Sequence, residues 1–144
     1  MISIQQYFGK PHSADEVQSA EDLLERREAL IEEAIASGAF NREICPHTGS
    51  EISGSAGGDG DGGFRTPSSV TGGPGSAHRK AQAIDTYDPG DHLDAWLDAF
   101  DREGGMRNEV LERHGLYREA SSATPGWCHL QTLAVGSGRR TFNP

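Results

Sequence analysis

Residues 76–87 read Ser-Ala-His-Arg-Lys-Ala-Gln-Ala-Ile-Asp-Thr-Tyr, and far downstream residues 126–131 read Gly-Trp-Cys-His-Leu-Gln. The first stretch alternates small or apolar residues with polar ones from Ala81 onward, and the second alternates from Trp127. A period of two marks a strand with one face buried. The pattern predicts strands over 81–87 and 127–133, with His78 in the turn before the first. Asp85 then belongs to one strand and His129 to the other. Two imidazoles and a carboxylate are a standard set of three protein ligands for a catalytic zinc, the fourth position being left to water. If the turn folds back and the two strands pair, His78, Asp85 and His129 converge on one ion. Spacing alone does not single them out. A His and an Asp seven apart arise often by chance, and each histidine also reads as a surface or satisfied core residue.

Upstream, Ser13-Ala-Asp-Glu16 has the form of a capping box. Behind it Val17, Ala20, Leu23, Leu24, Leu30, Ile31, Ala34 and Ile35 recur at helical spacing, and Gly38 is a natural stop. A helix is expected over 14–37, with Glu21, Glu25, Arg26, Glu28, Glu32 and Glu33 as its solvated face. Between 41 and 75 the periodicity lapses, and 54–63 has the composition of a linker. Ile52 and Phe64 flank it and predict short strands entering and leaving a wide loop. After the first long strand, Asp91 is the expected N-cap of a second helix, with Leu93, Trp96, Leu97 and Phe100 as its buried stripe. A third, short helix carries Met106, Val110 and Leu111 and ends at Gly115, and Thr141-Phe142 suits a short last strand. The class is α+β: a small, mostly antiparallel sheet flanked by helices, with a long N-terminal helix.

Composition narrows the function. At 144 residues the chain suits a single domain, 1–144, able to bury one core without covalent staples. Residues 1–40 form its N-terminal helical segment. A net charge of −9 provides no electrostatic footprint for a phosphate backbone, so no nucleic-acid partner is expected. Cys45 and Cys128 do not make a disulfide framework and read as free buried thiols. Cys45-Pro46-His47 with Cys128-His129 could be two halves of a structural zinc knuckle, but the spacings are wrong for one. No stretch approaches the roughly 18 apolar residues of a membrane span. The N-terminal stretch lacks a basic region followed by an apolar run, so the expectation is a chain made in the cytoplasm without a secretory signal.

These residues also carry a resemblance. Ser76-x-His78-x-x-Ala81-x-Ala83-x-Asp85 is similar to a Ser-x-His-x-x-Gly-x-Ala-x-Asp segment, with Ala81 in place of the glycine. That segment belongs to the zinc D-alanyl-D-alanine carboxypeptidases and their relatives, the phage L-alanyl-D-glutamate endolysins and the Hedgehog-type fold. Gly63-Phe64-Arg65-Thr66-Pro67, followed by Gly72-Gly73, resembles the family's upstream Gly-Tyr/Phe-Arg-Thr/Ser-Pro segment. Trp127-Cys-His129 resembles the aromatic residue that closely precedes its last histidine on a strand. The three motifs occur in the family's order, and the run from Thr124 to Gln131 looks most like small phage-encoded members.

The resemblance implies a Hedgehog/DD-peptidase-like fold, with 41–144 as a metallopeptidase-like core. It implies Zn2+ held by His78, Asp85 and His129, and a peptidase acting on the stem peptides of peptidoglycan, either carried on a virion or released to the cell wall. Arg65 would steady the oxyanion or a substrate carboxylate, since a guanidinium is a forked and always charged donor. An ion pair with Asp59 or Asp61 is the competing reading for Arg65. Ser76, Trp127 and Gln131 would contact substrate, Ser76 reading equally as a turn residue. Gln131 shares the face of His129 and could instead orient a ligand. One departure matters: the family's general base precedes the last histidine by three, and that position here is Gly126. Glu119 is the nearest upstream carboxylate that could take the role; otherwise it is a solvated turn residue. Without a base, the same fold would serve as a non-catalytic metal- or peptide-binding module of a phage particle. Oligomeric state is not legible.

Overall fold

Ser13 and Glu16 cap each other as expected: Glu16 N donates to Ser13 Oγ at 3.3 Å and Ser13 N to Glu16 Oε1 at 2.7 Å. The helix they open, α2 (Ala14–Ala36), ends within a residue of the predicted stop. A second capping box, Ser3 with Gln6, opens a short helix that the periodicity did not reveal, α1 (Ile4–Phe8). The computed structural model describes residues 1–9, 12–56, 62–65 and 76–144. Thr66-Pro67 and Gly72-Gly73 of the upstream motif, and Asp59 and Asp61, lie outside them.

Four strands form the main sheet: β1 (Ala83–Tyr87), β4 (Tyr117–Glu119), β5 (Trp127–Gln131) and β6 (Thr141–Phe142), in the order β1-β5-β4-β6. β5 runs antiparallel to β1 and β4, whereas β4 and β6 are parallel, so the sheet is mixed. The expected strands over 81–87 and 127–133 are shorter at one end each. Two-residue strands β2 (Asp101–Arg102) and β3 (Arg107–Asn108) make a separate ribbon. α3 (His92–Asp98) follows β1, and α4 (Glu109–His114) follows β3. Met106 falls before α4, because Asn108 caps that helix with its side-chain oxygen on the amides of Val110 and Leu111. Ile52 makes a single bridge to Thr86 rather than a strand, and Phe64 joins no strand: its amide donates to Tyr7 O.

The register sorts the two faces of the sheet. Ile84 lies opposite Leu130, Leu130 opposite Arg118, and Arg118 opposite Thr141. This face is buried against Leu23, Leu30 and Ile31 of α2, Leu93 and Leu97 of α3, and Val110 and Leu111 of α4. Truncating one such leucine to alanine costs about 2–5 kcal/mol. Cys128 points to this face, as expected of its alternation from His129, and burial pushes its thiol up.

Polar groups tie the helices to that face. Arg118, fully buried on β4, pairs with Asp94 at 3.0 Å, Asp98 at 2.5 Å and Asp101 at 3.0 Å, and donates to Thr141 Oγ1. It therefore locks α3, β2 and β6 onto the strand that carries Glu119. Asp91 occupies the expected N-cap position but does not cap. It has left-handed backbone, and its carboxylate accepts from Gly126 N at 2.7 Å. Asp88 takes over, accepting from Leu93 N at 2.7 Å. Nor is the charged face of α2 merely solvated. Arg26 donates to Gly115 O, Glu28 pairs with Arg42, and Glu33 holds both Arg113 and His114 of α4. Buried Arg27, which the pattern did not single out, reaches Glu51 at 3.0 Å and Thr86 Oγ1 at 3.2 Å. Among the described residues, no helix is long and apolar enough to cross a membrane.

Candidate metal centre

The opposite face of the sheet carries the chemistry. Asp85 on β1 lies directly across from His129 on β5. Tyr117 of β4 pairs with Gln131 and Arg118 with Leu130, so the same register carried one residue further sets Glu119 beside His129. Three adjacent strands thus align Asp85, His129 and Glu119 in one row. Phe142 on β6, opposite Glu119, ends it.

His78 closes the group from above the row. It sits in a single turn of 3-10 helix, Ala77–Lys80, capped by Ser76, whose hydroxyl accepts from His78 N at 3.3 Å. Ala81 ends the turn in the left-handed conformation, φ +55°. That backbone favours glycine and costs a β-carbon of the order of 1 kcal/mol. It explains why a glycine would suit the position and how the chain reverses from His78 into β1.

The Gly62-Gly63 backbone packs against β1 at the same point. Gly62 O accepts from Asp85 N at 2.7 Å, and Gly63 O accepts from His78 Nδ1 at 2.9 Å. A β-carbon on Gly62 would lie 2.4 Å from Asp85 Cβ, so only glycine permits this approach. Arg65 follows, its amide donating to His78 O, with its guanidinium 3.8 Å from Asp85 Oδ2.

The three expected ligands therefore come together. One ligand-capable atom from each of His78, Asp85 and His129 lies within 4.8 Å of the others, and all three residues are buried. Asp85 Oδ1 is 2.8 Å from His129 Nδ1 and 3.5 Å from His78 Nε2. The two rings meet edge to face at 5.1 Å. Burial alone would raise the Asp85 carboxyl, but His78 and His129 outweigh it and hold it far below the usual range. Burial alone would lower His129, but its hydrogen bond to Asp85, aided by Glu119 and Gln131, pushes it up to about 9. A carboxylate clasped by two buried imidazoles is an arrangement that a metal could use. His78 also gives its far ring N–H to a backbone carbonyl, as metal-ligating histidines commonly do. The group could hold a metal ion.

Glu119 Oε1 stands 3.8 Å from His129 Nδ1, its side chain about one-fifth exposed, so this carboxylate belongs to the site and not to a solvated turn. Gly126 has φ +90°, a conformation in which a side chain in place of glycine would be strained. Trp127, half-buried, shares the face of His129 two residues away. Gln131 is buried, and both ends of its amide are engaged, by His129 and by Leu133 O. The rival knuckle does not form: Cys45 donates to Gly54 O and Cys128 lies on the core face.

Sequence reasoning missed the part played by the Gly63 carbonyl, which a backbone group cannot announce. It placed Glu119 only by proximity, because a three-residue strand leaves too short an alternation to read. No protein-family model, no curated protein and no solved structure matches the chain.

Proposed function

We propose that the chain is a zinc-dependent peptidase of the D-alanyl-D-alanine carboxypeptidase and endolysin type, cleaving the stem peptides of peptidoglycan. The observation that carries this reading is the row Asp85–His129–Glu119 with His78 above it: three convergent ligands and a fourth, non-ligating carboxylate alongside. Two nitrogens and one oxygen suit zinc and leave a coordination position open. Bound there, zinc would supply Lewis acidity that polarises a peptide carbonyl and acidifies water.

The chain's own residues supply the rest. Glu119, beside the ligands and in contact with solvent, takes a proton from the attacking water and returns it to the leaving amine. This replaces the carboxylate that Gly126 cannot carry. Arg65, already turned toward Asp85, presents a planar fork to the developing oxyanion or to a substrate carboxylate. Trp127 offers an aromatic wall on the same face. Ser76 and Gln131 hold histidines instead of substrate. Two further observations favour the family resemblance: Ala81 is left-handed where the resembled pattern has glycine, and Gly63-Phe64-Arg65 brackets the site.

The test is hydrolysis of purified peptidoglycan and synthetic stem peptides. The zinc-loaded protein should release new amino termini or free D-alanine, chelation should abolish this, and zinc should restore it. A zinc-loaded protein that cuts none of these substrates would contradict the peptidase reading and favour a non-catalytic module.

A further inference from the structure

Gln131 lies two residues beyond His129 on the same face of β5 and is buried. Its amide is held at both ends. The NH2 group donates to Leu133 O at 2.7 Å, and Oε1 lies 2.7 Å from His129 Nε2. A backbone carbonyl only accepts, so the amide cannot be turned the other way without setting two oxygens face to face. An amide oxygen also only accepts, so His129 Nε2 carries hydrogen. With Nε2–H committed to Gln131, the nitrogen able to exchange its hydrogen for a metal is Nδ1, which without metal donates to Asp85 Oδ1 at 2.8 Å and stands 3.8 Å from Glu119 Oε1.

We infer that Gln131 is a positioning residue that fixes His129 as the Nε2–H tautomer and so selects Nδ1 as its metal-binding nitrogen. The inference rests on the metal reading of His78, Asp85 and His129. It makes the two histidines complementary. His78 gives its Nδ1–H directly to Gly63 O and presents Nε2; His129 gives its Nε2–H to a backbone carbonyl through the Gln131 amide and presents Nδ1. Each imidazole is thus oriented by main chain, one at first hand and one by relay.

The experiment combines histidine side-chain 15N NMR with zinc affinity by chelator competition, on wild type, Q131M and Q131E. In the zinc-loaded wild type, His129 should show a protonated Nε2 and a metal-bound Nδ1. Q131M keeps the volume but loses the acceptor. It should bind zinc about 10–100-fold more weakly, the usual loss when a ligand's hydrogen-bond partner is removed, and its zinc-loaded spectrum should show His129 bound through a mixture of Nδ1 and Nε2. Q131E keeps an acceptor and should stay within about tenfold of wild type. A wild-type spectrum with His129 Nε2 on the metal overturns the inference without any variant. So does a folded Q131M that matches wild-type affinity. If the wild type takes up no zinc at all, the metal reading itself falls and takes this inference with it.

Discussion

Glu119→Gln separates the catalytic account from the metal account. The change is nearly isosteric and removes the negative charge and with it the ability to accept a proton. Glu119 Oε1 is 3.8 Å from His129 Nδ1, beyond hydrogen-bond reach, and the side chain keeps some solvent contact. Its loss should therefore cost the fold less than about 1 kcal/mol. Glu119 is not one of the three convergent ligands, so zinc should still load stoichiometrically at micromolar protein. Turnover should fall, because a positioned general base is worth roughly 10²–10⁴-fold. That corresponds to about 3–5 kcal/mol of barrier. The loss should appear in kcat with KM little changed, and the acid limb of the pH profile should go with it. Stem-peptide hydrolysis, zinc content and thermal unfolding on the same preparation give all three numbers. Turnover within threefold of wild type would refute the assignment of Glu119 as base. Loss of zinc with loss of turnover would make Glu119 a ligand instead.

Other outcomes follow from the same geometry. Arg65→Lys should retain zinc but lose at least tenfold in kcat/KM, since a point charge does not replace a planar fork; equal activity would make Arg65 structural. Arg118→Met leaves Asp94 buried without its charge partner and should destabilise the protein by about 3 kcal/mol, lowering Tm by roughly 10 °C; a loss below about 1 kcal/mol in urea unfolding would show the cluster to be dispensable. His129 holds its proton more tightly in the folded chain, its pKa rising from 6.5 to about 9. That contribution to the metal-free fold is complete below pH 6.5 and is lost as pH rises through about 9, so metal-free stability should fall across this window. Over the same range zinc affinity should rise with pH, because the ion displaces that proton; a pH-independent affinity between 6 and 8 would contradict it.

Much of this was legible from residue pattern. The capping box at Ser13 and the apolar stripe behind it placed α2, since cap and period agreed. Alternation placed β1 and β5, and their pairing then brought Asp85 and His129 together without further assumption. What stayed hidden was what alternation cannot express. β4 and β6 are three and two residues long, too short for a period, so neither the parallel pairing nor the row through Glu119 could be read. Asp91 has the chemistry of a cap, but a left-handed backbone turned it toward Gly126, and Asp88 served instead. Arg118 and Arg27 were not singled out, because their partners are distant in sequence. Gly62 looked like part of a linker, whereas its missing side chain is what lets the backbone meet Asp85.

The central claim is that His78, Asp85 and His129 hold one zinc ion. Its most direct test is the zinc content of the purified protein, after exposure to zinc and removal of excess, beside His78→Ala treated identically. The account predicts about one zinc per wild-type chain and essentially none in the variant, with the variant still folded by circular dichroism. A wild-type protein that takes up no zinc, or a folded variant that binds as much, would contradict it.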